Sequence, residues 1–214
     1  MSHIDLAALL CSRLCHDLVS PVGALSNGIE ILADEHDDEM RGQVLDLLEQ
    51  SASQTTNRLK FFRLAFGAAG GFGAELSMDE ARDALAALLS GHKVALTWTS
   101  PHGTLDKRFV KLLLNLALVA GECLVRGGTV AVETSDGDGR VAVAVQATGE
   151  RLILSESVRA AVSGGATMET LEPKSAPAYL AHLVAQSLDA SLTVEEGDGS
   201  LLFKASATLG PAAL

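Results

Sequence analysis

Two apolar stripes of helical period dominate the first 66 residues. Leu14, Leu18, Pro21, Leu25, Ile29 and Leu32 follow at steps of three or four, on one face of a helix predicted over 4–33. A second stripe runs through Val44, Leu47, Leu48, Ser51, Thr55, Leu59, Phe62 and Phe66. Between them Asp34-Glu35-His36-Asp37-Asp38-Glu39 is too charged to pack and short enough to join antiparallel helices. The pair reads as a helical hairpin. Two helices cover their own stripes poorly, so a homodimer whose hairpins form a four-helix bundle is expected, with packing of one hairpin against the rest of the chain as the alternative.

After Phe66 the run Gly67-Ala68-Ala69-Gly70-Gly71-Phe72-Gly73 removes helix propensity, which places a boundary between a hairpin domain over 1–68 and a second domain over 74–214. The pattern then mixes periods. Ser77 and Glu80 have capping-box spacing and open a helix to about Leu89. Val94 to Thr99 reads as a strand and Lys107 to Leu124 as a helix. Thr129 to Thr134 and Val141 to Thr148 form a hairpin across Asp136-Gly137-Asp138-Gly139. Ala176 to Leu188 is helical, and Leu192 to Glu196 pairs with Leu201 to Thr208. The expected fold class is α+β, a helical hairpin followed by an α/β sandwich.

The balance of charge narrows the partners. A net charge of −11 leaves no concentrated Lys/Arg surface for nucleic acid, so protein partners are expected. The opening MSHIDLAALLCSRLCHDL is broken by Asp5, Arg13, His16 and Asp17 and holds neither a signal-peptide core nor a membrane span, which points to a cytoplasmic protein. Cys11, Cys15 and Cys123 form no CxxC pair, so no metal site is expected; Cys11 and Cys15 share a helix face and should pack.

His16 is the residue suited to chemistry. It lies two residues from Leu14 and from Leu18, about 200° around the helix from each, and therefore points away from the stripe. A neutral imidazole is a nucleophile, and the adjacent Asp17 can orient the ring through its other nitrogen or accept its proton. Ser20, one turn on, can hold a water or ligand oxygen on the same face, an ordinary surface serine being the alternative. Pro21 removes a helical donor from the carbonyl of residue 17 and is expected to weaken the helix there. If the turn centres near residue 37, the second helix reaches the level of His16 near residue 58. Asn57, Arg58 and Lys60 then stand at its height, where a cation could steady an anion or simply face solvent.

The run Cys15-His16-Asp17-Leu18-Val19-Ser20-Pro21 resembles the phosphoacceptor box of two-component sensor kinases, with His16, Asp17, Ser20 and Pro21 matching place by place. The order of elements after residue 74 resembles those kinases' ATP-binding domain, but its motifs fail where nucleotide would bind. Lys111 to Ala120 is similar to the asparagine box, whose Mg²⁺-holding second Asn is Val119 here. The adenine-reading Asp is Ala147, and the second glycine of its turn is Arg151. The last glycine box is Ala176-Pro177-Ala178-Tyr179-Leu180-Ala181, without glycine.

A retained nucleophile beside a lost nucleotide site is similar to the ChpT-type histidine phosphotransferases of alphaproteobacterial phosphorelays, as is the run from Arg58 to Gly67. The resemblance implies a His-Asp phosphotransferase that relays a phosphoryl group through His16 between receiver-domain aspartates, with response regulators and the receiver of a hybrid histidine kinase as partners. It implies no cofactor in this chain, with Mg²⁺ held by the partner receiver. The alternative is a non-catalytic pseudokinase scaffold that binds response regulators.

Overall fold

The computed structural model describes residues 3–67, 74–91, 93–137, 139–167 and 169–208, so most of the glycine-rich junction, and Asp138 of the strand turn, lie outside the described residues. The hairpin consists of α1 (His3–Asp34) and α2 (Asp38–Ala65). Its charged connection does more than avoid the core. Asp37 accepts a hydrogen bond from the Met40 amide and so caps α2, while Arg41 donates to the carbonyls of Leu32 and Glu35 at 3.1 and 2.7 Å and closes the end of α1. Further along, Gly28 lets the helices approach closely; a Cβ there would meet Leu48 Cδ2 at 2.7 Å.

Pro21 is buried inside α1, yet the helix continues through it. The reason lies across the hairpin. The Asp17 carbonyl, which a proline four residues on cannot serve, accepts a hydrogen bond from Arg58 Nη1. The weakening expected at Pro21 is therefore offset by a cross-helix bond, and Arg58 has a backbone partner rather than a free guanidinium.

Along the first stripe Pro21 is buried and Leu14, Leu18, Leu25 and Leu32 are partly buried, but Ile29 is 62% exposed. On the second, Val44, Ser51 and Phe62 are buried while Leu47 and Leu59 remain 43% and 45% exposed. As expected of two helices alone, the hairpin of a single chain covers only part of both stripes.

The second domain runs β1 (Glu75–Ser77), α3 (Met78–Leu89), β2 (Val94–Thr99), β3 (Thr104–Asp106), α4 (Lys107–Cys123), β4 (Gly128–Gly137), β5 (Arg140–Thr148), α5 (Glu156–Val162), α6 (Ala176–Ser187), β6 (Ser191–Gly197) and β7 (Ser200–Thr208). Ser77 caps α3 by accepting from the Glu80 amide at 3.2 Å, as its spacing predicts. Five strands form one sheet in the order β2-β4-β5-β7-β6, with β2 and β4 parallel and the other neighbours antiparallel; β1 and β3 form a separate antiparallel pair. Alternate residues bury one face, through Val130 and Val132, Val141 to Ala147, and Leu201 to Ala207. The helices cover that face, and Thr97, Glu133, Gln146 and Lys204 lie on the opposite, exposed side. This is the predicted α/β sandwich, with β1, β3 and α5 added.

The centre of the core is α4, buried almost throughout from Phe109 to Ala120. The same core takes in Phe61, Phe62, Leu64 and Ala65 from the end of α2. Fully buried Asn115 fastens them: its amide donates to the carbonyls of Ala65 and Lys111 at 2.9 and 2.8 Å, so one side chain joins the last turn of α2 to the middle of α4.

The Arg58 bond has a double-variant test. Arg58→Met should lower stability in denaturant unfolding by about 1–3 kcal/mol, the cost of an unmade buried hydrogen bond. In a Pro21→Ala background the cost should largely vanish, because residue 21 regains an amide that reaches the Asp17 carbonyl. Equal losses in both backgrounds would show that the guanidinium matters for another reason.

Candidate functional site

The outward face of α1 presents His16 as its position between Leu14 and Leu18 predicts; the side chain is 84% exposed. Ring Nδ1 lies 3.1 Å from Asp17 Oδ1. A carboxylate only accepts, so Nδ1 carries the hydrogen in this pairing, and in the neutral ring the lone pair is left on Nε2. Asp17 is itself held, with Oδ2 accepting from Arg13 Nε at 2.9 Å, one helical turn earlier.

Arg13 is a residue the sequence did not single out. It is 8% exposed, and besides Asp17 it donates from Nη1 and Nη2 to the carboxylate of Glu122 in the last turn of α4. Burial pushes its guanidinium toward losing the proton. The Glu122 and Asp17 carboxylates outweigh that, and Arg13 is held above its ordinary range. The signal for Arg13 was present as an Arg/Asp pair at helical spacing; Glu122, 109 residues away, had none.

His16, Asp17, Arg13 and Arg58 line one side of a cavity of about 1030 Å³ between the hairpin and the second domain, and Leu88, Lys93, Leu118, Glu122 and Lys174 contribute to the other. Ser20 is exposed one turn beyond His16, and Pro21 is buried beneath the face. Asn57 is partly buried and Lys60 exposed, and neither lines the cavity. The hairpin arithmetic is met at Arg58, whose guanidinium reaches the backbone of Asp17.

Where the resemblance to kinases would place nucleotide ligands, Val119 is 2% exposed and Ala147 and Ala176 are fully buried. Val119 and Ala147 form part of the hydrophobic core, and none of the three presents a side-chain polar atom. Arg151 is exposed. Among the described residues no group of three or more His, Cys, Asp or Glu is placed to hold a metal ion, and no helix is long and apolar enough to cross a membrane.

The cysteines divide differently from expectation. Cys11 and Cys15 are exposed rather than packed; Cys11 shares its helical direction with Ile29, 18 residues on, at the uncovered edge of the first stripe. Cys123 is buried, and burial, reinforced by the negative charge of Glu122, pushes its thiol up to about 12.

Comparison with known proteins gives three concordant matches. A family profile described as the histidine phosphotransferase C-terminal domain matches residues 78–200. Protein phosphotransferase ChpT of Brucella abortus (strain 2308) is 35% identical over 207 residues, which cover 96% of this chain and 97% of that protein. A solved structure described as a bacterial phosphotransferase matches with a TM-score of 0.85 and 32% identity, over 96% of this chain and 97% of the other.

The thiols offer a direct check on the packing. An alkylating reagent at neutral pH should modify Cys11 and Cys15 in the folded protein and reach Cys123 only after denaturation, as read by intact mass. Modification of Cys123 at the same rate as the other two would contradict its burial.

Proposed function

The chain belongs to the histidine phosphotransferase family, and from that premise we propose that His16 carries a phosphoryl group between the aspartates of response-regulator receiver domains, one donor or acceptor being the receiver of a hybrid histidine kinase. The observation that carries this reading is the state of the ring. It stands out from the helix with one nitrogen occupied by Asp17 and the other open.

In the forward step the Nε2 lone pair attacks phosphorus in line with the acyl-phosphate bond of the docked receiver. The N–P bond forms as the P–O bond breaks, and the receiver carboxylate leaves. The Nδ1 hydrogen stays on the ring against Asp17, which offsets the positive charge of the phosphorylated imidazole. The second receiver reverses these events with its own aspartate as the nucleophile. Ser20 faces the incoming partner one turn on, Pro21 and Arg58 hold the backbone below it, and Asn57 and Lys60 stand on the neighbouring helix as supporting contacts. Mg²⁺ belongs to the receiver's acidic pocket, and this chain supplies neither metal nor cofactor.

Val119, Ala147 and Ala176 support a transferase that does not make its own phosphohistidine from ATP, because an apolar core offers nothing to a solvated Mg²⁺-nucleotide. The exposed Ile29, Leu47 and Leu59 support a homodimer in which a second hairpin completes a four-helix bundle. Exposed Cys11 and Cys15 thiols and a net charge of −11 fit a cytoplasmic protein that works with other proteins, not with nucleic acid or membranes.

Incubation with a phosphorylated receiver should move label onto this chain as an acid-labile, alkali-stable adduct, and His16→Gln should abolish it. Label retained by that variant would remove His16 from the mechanism, and a wild-type chain that binds receivers without taking label would favour the scaffold. Mg²⁺-ATP alone should leave no label. For assembly, Ile29→Glu combined with Leu59→Glu should turn a dimer into a monomer in light scattering; a wild-type monomer would refute the four-helix bundle.

A further inference from the structure

Asp17 has two oxygens with separate duties. Oδ1 faces His16 Nδ1 at 3.1 Å, and Oδ2 accepts from Arg13 Nε at 2.9 Å. Arg13 in turn donates to Glu122, the only member of this chain of contacts that comes from the second domain. Side-chain exposure falls from 84% at His16 to 17% at Asp17 and 10% at Arg13, then rises to 26% at Glu122. The shielded centre is thus one cation between two carboxylates, where ion pairing is strong and geometry is restrictive.

Glu122 is poorly placed for the stability of its own helix. It sits in the last turn of α4, where the helix dipole disfavours an anion, and that turn has no basic residue. Its charge is answered across the domain boundary by Arg13. The forked guanidinium suits that position because it can bind both carboxylates at once, which a lysine ammonium with a single charged centre does less well.

Resting on the reading of His16 as the phosphoryl carrier, we propose that Arg13 and Glu122 are positioning residues for phosphotransfer, through which the second domain fixes Asp17 and thereby the tautomer and orientation of the His16 ring. Neither touches the reacting atoms. With Glu122 in place, Arg13 divides its charge between two carboxylates, and Asp17 keeps enough electron density to hold the ring hydrogen. Without Glu122, the whole of Arg13 falls on Asp17, and the hold on His16 loosens.

The test uses the full chain in single-turnover transfer from a phosphorylated receiver, with receiver concentration varied so that maximal rate and half-saturation are separated. Glu122→Gln should lower the maximal rate about tenfold, within the range of coupled charged neighbours, and leave half-saturation within about twofold. Glu122→Asp, which keeps the charge, should recover most of the rate. In an Asp17→Asn background Glu122→Gln should add no further loss, because its effect passes through Asp17; a loss that simply adds would mean that Glu122 only holds the domains together, and would overturn the proposal. The exchange Arg13→Glu with Glu122→Arg can rebuild the bridge between the domains but sets a carboxylate against Asp17, so it should stay slow even where its melting temperature matches wild type. Wild-type rates in the exchange variant, or in Glu122→Gln while His16 is still labelled, would refute the relay and leave the carrier intact. Absence of label on His16 in the wild-type chain would instead refute the carrier.

Discussion

Asn115 holds the end of α2 against the middle of α4, and the geometry of the site depends on that contact. Its amide occupies the Ala65 carbonyl, one of the groups a helix end leaves without an internal partner, and does so in the most buried part of the protein. With Phe61, Phe62 and Leu64 in the same core, the base of the hairpin is packed on both sides of this bond. A hairpin so anchored has a fixed direction. Arg13, many turns from the tip, can therefore meet Glu122 across the domain boundary. The side-chain contacts near His16, at the C-terminal end of α4, are downstream of a backbone-capping contact made from the middle of the same helix.

A second constraint acts inside the hairpin. Proline at position 21 deprives the carbonyl of Asp17, the residue that holds the histidine ring, and Arg58 supplies the missing donor from α2. Asp17 is thus gripped at three places: its carbonyl by Arg58, and its two carboxylate oxygens by Arg13 and His16. For the carrier proposed at His16, this arrangement presets the ring. In the proposed relay a ring already in one tautomer would serve both steps, because the donor receiver then supplies only the electrophile and the acceptor receiver only its aspartate nucleophile, each with its own charge neutralisation.

Much of this was legible in the sequence, for physical reasons that also mark where legibility ends. Long stripes at helical period and alternating strands specify which face is buried, so α1, α2, α4 and the β4-β5 and β6-β7 hairpins follow from them. The three-residue strands β1 and β3 are too short for any alternation to register, and α5 has only seven residues. Ile29 belongs to the stripe by spacing yet is exposed in a single chain, since periodicity says that a face is apolar but not what covers it. His16 could be read because its outward direction follows from local helix geometry. Glu122 could not, because its importance arises from a partner 109 residues away; its one local mark is an acidic side chain at the negative end of a helix dipole.

The same contacts give the second domain a structural duty that does not depend on nucleotide. A buried Asn or Asp at position 119 or 147 would be costly where no cation or adenine compensates it, and Val and Ala there contribute to the core instead. The rest of the domain is under a different constraint. Its α4 supplies Asn115 to the end of α2 and Glu122 to Arg13, and its core receives Phe61 and Phe62, so the hairpin is not a self-sufficient unit that could discard it. A chain that, as proposed, makes no phosphohistidine from ATP has no need of polar side chains at those positions. What remains is the demand that α4 hold the hairpin, and with it Asp17 beside His16, in one orientation.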